Sequence, residues 1–233
     1  MTQKPLVFII SAPSGSGKST LTNEILKLVP NLVFSISYTT RALRGSEQNG
    51  KQYYFVSMEE FERMARDGEF LEHANVHGSS YGTARRFLRE AGKSGNDLLL
   101  DIDVQGAAQI KKNLSDAISV FVVPPDRETL EWRLRNRGEN SEKDIQRRLQ
   151  DAKREIEEYD KYDYVLINDH LEKSIERLQA IVLSERLRRE ERSLSQEESA
   201  IVERAERLRL ANLKEKVQPI LASFRGEGSP AHL

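Results

Sequence analysis

Residues 8–21, Phe8-Ile9-Ile10-Ser11-Ala12-Pro13-Ser14-Gly15-Ser16-Gly17-Lys18-Ser19-Thr20-Leu21, restrict the fold more than any other stretch of this chain. An apolar run long enough for a buried strand breaks into a short Gly-containing turn that ends in Gly-Lys-Ser-Thr. An amphipathic pattern follows through Leu21, Ile25, Leu26 and Leu28. Strand, tight loop and helix start is the context a phosphate-binding P-loop requires. Gly15 and Gly17 lack a Cβ, so successive N–H groups can turn inward toward a phosphate chain, and the helix N-terminus adds partial positive charge. Lys18 would neutralise β- and γ-phosphates, and the Ser19 hydroxyl would ligate Mg2+. The expected nucleotide-phosphate-binding set is therefore Ala12, Pro13, Ser14, Gly15, Ser16, Gly17, Lys18, Ser19 and Thr20. The strict pattern opens with Gly, whereas Ala12 stands here; Ala fits if its φ is negative. A dinucleotide fingerprint fits poorly, since no third Gly follows Gly17 at the required spacing.

Composition narrows the setting. A chain of 233 residues can bury a real core, as one large domain or as a core with inserts. Its formal net charge of -1 supplies no global field to recruit nucleic acid, so anion binding must come from local arginines. Cysteine is absent, which excludes disulfides and thiolate metal sites and fits a reducing compartment. No apolar run approaches the roughly 20 residues of a membrane helix, and Leu6–Ile10 is too short for a signal peptide. The expected location is cytoplasmic.

Beyond the first helix, Leu32–Ser37 reads as a strand. Asn49-Gly50 is a hairpin signal ahead of the strand-like Gln52–Val56. Ser57 is placed to cap a helix through Met58, Phe61, Met64 and Ala65, with Glu60 at the capping-box position. Phe70–Val76 is a further strand. Asp97–Asp103 returns to the core as a leucine-rich strand ending in acid, which is how a Walker B strand looks; Asp101 is the expected holder of the Mg2+ water shell. A helix over Gly106–Leu114, strands at Ala117–Val123 and Tyr164–Ile167, and a helix capped by Asp169 with Glu172 complete the core. The inner face of that last helix is read as Leu171, Ile175, Leu178 and Val182. Strands alternating with helices argue a parallel, doubly wound α/β sheet. Arg133, Arg135, Arg137, Arg147 and Arg148 cluster around a helix break at Gly138-Glu139-Asn140-Ser141, the anatomy of a lid; for most of them a solvated, charge-balanced helix face is the better reading. His73 and His77 stand four apart without a third ligand and read as surface histidines. Ile201, Ala205, Leu208 and Ala211 form a narrow apolar stripe in an expected helix over Glu197–Val217, suited either to packing on the core or to self-association.

Taken together the motifs resemble guanylate kinase, of the bacterial type with a C-terminal extension. The resemblance rests on Ser11–Thr20, Ser37-x-Thr39-Thr40-Arg41-x-x-Arg44, Asn49-Gly50-Lys51-x-Tyr53-x-Phe55, Phe70-Leu71-Glu72, Tyr81-Gly82-Thr83 and Leu100-Asp101-Ile102-Asp103-x-Gln105-Gly106, in order over residues 5–186. It implies a P-loop nucleoside-monophosphate-kinase fold: core at 1–36, 90–125 and 163–190, GMP-binding insert at 37–89, lid at 126–162, and a helical extension with a frayed tail at 191–233. It implies transfer of the γ-phosphoryl group of ATP to GMP with Mg2+, for GMP recycling and guanine nucleotide supply. The resemblance places Ser37, Arg41, Arg44, Tyr53, Glu72, Tyr81, Thr83 and Asp103 at the GMP and Lys18, Arg41, Arg137 and Arg148 in catalysis, the last two in the lid role, for which Arg133 is a further candidate. Ionised carboxylates accept only, which suits the N1–H and N2–H2 donors of guanine and opposes the N1 acceptor of adenine. The expected partners are ATP and GMP, with neither nucleic acid nor membrane, and a homo-oligomer through the C-terminal helix is possible on the apolar stripe. The competing readings are a related kinase for another small phosphorylated acceptor and a non-catalytic module of the same fold. The module reading is opposed by the retention of Lys18, Ser19, Arg41 and Arg44.

Overall fold

The structure is a computed structural model that describes residues 4–76, 78–136 and 141–226. In chain order the elements are β1 (Val7–Ser11), α1 (Lys18–Leu28), β2 (Leu32–Phe34), β3 (Tyr38–Thr39), β4 (Tyr54–Phe55), α2 (Met58–Arg66), β5 (Phe70–Val76), β6 (Ser79–Ala84) and α3 (Arg85–Ser94). They continue with β7 (Asp97–Asp101), α4 (Val104–Asn113), β8 (Ile118–Val123), α5 (Arg127–Asn136), α6 (Glu142–Ile156), β9 (Tyr164–Ile167), α7 (Leu171–Leu187), α8 (Gln196–Glu206) and α9 (Leu210–Arg225). A five-stranded sheet has the order β2-β7-β1-β8-β9, with β2 parallel to β7 and β8 parallel to β9. β1 and β8 are buried along their whole lengths, as the continuous apolar runs of a sheet covered on both faces require. This is the α/β fold expected from the alternating pattern.

The chain divides into two compact units, one of residues 1–9 and 30–118 and one of 10–29 and 119–233. The first contains a second, four-stranded sheet of order β4-β3-β6-β5. Its apolar face packs Phe61, Met64, Phe70 and Ala84 together, with Tyr38, Val56, Ala65 and Phe87 against them. Ser57 caps α2 by accepting from Glu60 N. Gly50 takes φ +79 and donates to Tyr53 O, so the expected turn forms. It does not close a hairpin: β4 pairs parallel with β3, because Tyr54 N donates to Ser37 O and Val56 N to Thr39 O.

In the second unit, α7 starts after His170 rather than on an Asp169 cap; Asp169 instead accepts from His170 N and pairs with Arg177 at 2.8 Å. Leu171 is correspondingly exposed rather than on the inner face, while Leu178 and Val182 are buried as expected. The single helix expected over Glu197–Val217 is two. Ser195 and Glu198 form a reciprocal capping box that starts α8, and the chain leaves helical geometry before Leu210 because Val165 N donates to Leu208 O and Leu210 N to Asp163 O. Of the expected stripe, Ala205 and Leu208 are buried and Ala211 is exposed.

Candidate active site

In the second unit, β1 runs into the loop 12–17 and α1 begins at once. Gly17 is the N-cap of α1 at φ +90 and Gly15 stands at φ +96, both in the left-handed region that side chains avoid. The only described non-glycine at positive φ is Asn31, so Ala12 occupies its position without that strain. Gly17 has no side chain to cap the helix and the first turn carries no acid, the setting in which a helix N-terminus favours an anion. Ser19 and Thr20 are exposed at this end and Lys18 is half-buried.

The loop is braced from two sides. Asn168, buried just past β9, donates from Nδ2 to Ser16 O at 2.7 Å, and its own carbonyl accepts from Arg133 Nη2 at 2.9 Å. Arg133 also reaches Ser16 O at 3.4 Å. A Cβ on Gly17 would run into the Asn168 amide, and one on Gly15 would lie 2.9 Å from Leu134 Cδ2. The loop backbone is thus fitted against α5 and the end of β9. Arg148 is half-buried on α6, one turn from Asp144; Arg137 lies outside the described residues, as does His77.

The residues expected at the acceptor, Ser37, Arg41, Arg44, Tyr53, Glu72, Tyr81, Thr83 and Asp103, all belong to the first unit. In β6, Gly82 and Ala84 turn toward the apolar cluster, a Cβ on Gly82 being barred by the Phe70 ring. Tyr81 and Thr83 alternate onto the other face. β5 lies antiparallel, bringing Glu72 opposite Thr83 and Ala74 opposite Tyr81. The β5 backbone is held by α4: Gln109 accepts from His73 N and donates to His73 O, and Asn113 donates to Leu71 O at 3.2 Å. Glu72, between these anchors, is 5% exposed, and Thr83 Oγ1 donates to its Oε1 at 2.6 Å. Burial pushes the Glu72 carboxyl up to about 7, opposed by that hydrogen bond and raised further by Asp103. Asp103 caps α4, its Oδ1 accepting from Gly106 N at 2.9 Å. Gly106 keeps the two acids together: a Cβ there would stand 2.6 Å from Glu72 Oε2 and 3.3 Å from Asp103 Oδ1.

Arg41, Tyr53 and Tyr81 form a second cluster. The Arg41 guanidinium lies 5.3 Å from the Tyr53 ring centre, and the Tyr53 and Tyr81 rings meet edge-on at 5.8 Å. Burial, with the nearby Asp101 charge second, pushes the Tyr53 hydroxyl up to about 12, so it stays a proton donor at neutral pH. Arg41 donates to Glu47 Oε1 at 2.8 Å and to Ala42 O, while Glu47 Oε2 accepts from Arg44 N at 2.9 Å. The hydrogen bond from Arg41 holds the Glu47 carboxyl below its ordinary range. Arg44 is exposed and Ser37 half-buried.

Asn168 and Glu47 escape a reading of the sequence. A signal exists for the first, since a polar residue at the carboxyl end of a buried strand is where open α/β sheets bind ligands. Among the described residues no group of three or more His, Cys, Asp or Glu could hold a metal, and no helix is long and apolar enough to cross a membrane.

Comparison with known proteins bears on this arrangement. The family model described as guanylate kinase matches residues 3–185. The guanylate kinase of Koribacter versatilis (strain Ellin345) is 54% identical over 227 residues, covering 96% of this chain and 97% of that protein, so the alignment takes in most of the C-terminal extension. That of Geobacter metallireducens is 46% identical over 188 residues, covering 81% of this chain and 93% of that protein. Among solved structures, guanylate kinase from Anaplasma phagocytophilum superposes with a TM-score of 0.66 at 35% identity, covering 79% of this chain and 88% of that one.

Proposed function

This chain belongs to the guanylate kinase family, and from that we infer how its residues transfer the γ-phosphoryl group of ATP to GMP, giving ADP and GDP. The loop from Ala12 to Thr20 receives the ATP phosphates on its backbone N–H groups, and Lys18 neutralises charge on the β- and γ-phosphates. Glu72 and Asp103 accept the guanine N1–H and N2–H2, with the Thr83 and Ser37 hydroxyls on the same base edge. Arg41 and Arg44, with the hydroxyls of Tyr53 and Tyr81, hold the GMP phosphate. The attacking oxygen of that phosphate is already ionised, so no strong base is required and catalysis is positioning plus charge neutralisation. Arg148 and Arg137 carry the lid share of that neutralisation in residues 126–162, and residues 37–89 form the acceptor region.

The donor chemistry fits Mg2+, which takes oxygen ligands, keeps several waters and shares substrate phosphates rather than needing a protein cage. The exposed Ser19 hydroxyl and, through water, the Asp101 carboxylate would hold it. When bound it would offset charge on the transferring phosphoryl group.

The observation that carries the guanine reading is the buried Glu72, hydrogen-bonded by Thr83 and set beside Asp103 at Gly106. A site of such polar partners rejects the wrong base by roughly 10⁴-fold. ADP release measured with GMP, AMP, CMP and UMP tests it; equal rates with AMP would refute it. We further propose a cytoplasmic location, on the cysteine-free composition. For the extension, the burial of Ala205, Leu213, Val217, Ile220, Leu221 and Phe224 within their own unit favours an intrachain role over a homo-oligomer.

A further inference from the structure

Trp132 is the chain's one tryptophan, and it is 65% exposed. Its position is not left loose. It sits on α5 between Leu130 and Leu134, which are fully buried and abut Gly15, and next to Arg133, which is tied to the loop through Ser16 O and Asn168 O. One turn on, Asn136 Nδ2 donates to Trp132 O at 2.8 Å.

These ties hold the backbone that carries the indole, and Trp132 lines a cavity of about 340 Å³ whose other sides include Gly15, Gly17, Thr20 and Leu171. Leu171 is itself 39% exposed, so two large apolar side chains that would ordinarily be buried both open onto one cavity. The loop proposed to hold the donor phosphates thus forms part of the cavity wall. A nucleotide held there by its phosphates has its base as the apolar, flat group left to accommodate.

We infer that Trp132 is the stacking platform for the nucleobase of the phosphoryl donor, a reading that rests on the ATP role given to the loop. An indole face binds any base through its π-surface, without reading its edge. Trp132 thus sets affinity for the donor, while choice among donor bases lies with other groups.

The test uses the full chain. Titrating ADP should change the tryptophan fluorescence saturably, with the same midpoint as inhibition of turnover by ADP. Trp132→Ala should raise KM for ATP by about 5- to 30-fold, the lower part of the range for base stacking because one face stays open to water. It should weaken GTP as donor by the same factor, leave KM for GMP as it was, and leave inhibition by inorganic tripolyphosphate, which has no base, unchanged. Trp132→Phe should recover most of the loss. Fluorescence indifferent to saturating ADP, or an Ala variant with unaltered KM for ATP, overturns the inference while GMP-dependent ADP release continues. Equal loss of tripolyphosphate inhibition also overturns it, by pointing to damage in the loop. Failure of the ATP:GMP reading would look different: no GMP-dependent ADP release from the unaltered chain.

Discussion

Thr83 Oγ1 donates to Glu72 Oε1 at 2.6 Å across the β5–β6 pair, so the carboxylate proposed to read guanine is both buried and partly satisfied before any substrate arrives. Burial dominates and the carboxyl sits at about 7. Below that pH it is protonated and presents a donor to the guanine donors, so productive GMP binding needs the ionised form. KM for GMP should be flat above pH 8 and rise as pH falls through 7, while kcat at saturating GMP changes little. Thr83→Ala removes a bond that lowers the carboxyl, so the inflection should move to higher pH. A KM profile flat from pH 8 to 6 would contradict the assignment.

The same group should make folding stability depend on pH in the opposite sense from a salt-bridged acid. Its folded value, about 7, lies above the ordinary 4.5. Between these values the native state binds more protons than the unfolded state, so this residue's contribution falls as pH rises from 4.5 to 7 and is then constant. The full penalty of ionising it is up to about 3 kcal/mol. Glu72→Gln removes the penalty while abolishing GMP selection. Denaturant midpoints at pH 5 and pH 8 should show the Gln variant gaining on the parent at the higher pH; parallel midpoints would mean the carboxylate is better solvated than its 5% exposure implies.

Two glycines should separate the substrates. Gly106→Ala pushes a Cβ to 2.6 Å from Glu72 Oε2, and Gly17→Ala drives one into the Asn168 amide at φ +90. Strain of this kind costs about 1–3 kcal/mol, or roughly 5- to 150-fold in affinity. Gly106→Ala should raise KM for GMP by that factor and leave ATP binding, measured by calorimetry, unaltered. Gly17→Ala should do the reverse.

What the sequence discloses follows the reach of the interactions involved. Local rules read Ser57 as a cap, Phe70–Val76 as a strand and the Gly15–Gly17 turn correctly, since each depends on neighbours a few residues away. They fail where a distant backbone competes. Asn49-Gly50 makes its turn, but long-range bonds to Ser37 and Thr39 make β4 parallel to β3. The apolar periodicity through Ile201, Ala205 and Leu208 runs on, yet residues 208–210 abandon the helix to pair with β9. Asn168 and its acceptor Ser16 are 152 residues apart, a pairing no local pattern carries.

One carboxylate organises both arginines expected at the GMP phosphate. Glu47 binds the Arg41 guanidinium with one oxygen and the Arg44 amide with the other. The Arg41 side chain is only 10% exposed, so the pair is largely withdrawn from water and its loss is felt. Glu47→Ala should raise KM for GMP by about 10- to 150-fold, as for loss of a charge-assisted hydrogen bond. Guanosine, which lacks the phosphate, should inhibit the variant and the parent equally. Unequal inhibition would place the effect on the base side instead.

The extension offers the last prediction, because its geometry opposes a role in assembly. β9 ends the sheet order, and a terminal strand presents unpaired backbone groups that invite association. Here Leu208 O and Leu210 N take up Val165 N and Asp163 O, and Arg209 lays its guanidinium 4.4 Å from the Tyr164 ring centre while pairing with Glu185. α9 then returns over α5 and the 157–161 turn, with Arg127 N donating to Ser223 Oγ and Gln218 to the Tyr159 hydroxyl. Removing residues after Arg192 should therefore bare a strand edge and an apolar face, lowering the melting temperature and raising the scattering mass. Leu221→Ala, buried at 3% exposure, should cost about 2–5 kcal/mol in the full chain without changing its mass. A truncated chain that melts like the parent but scatters as a smaller species would reverse the conclusion and return the extension to assembly.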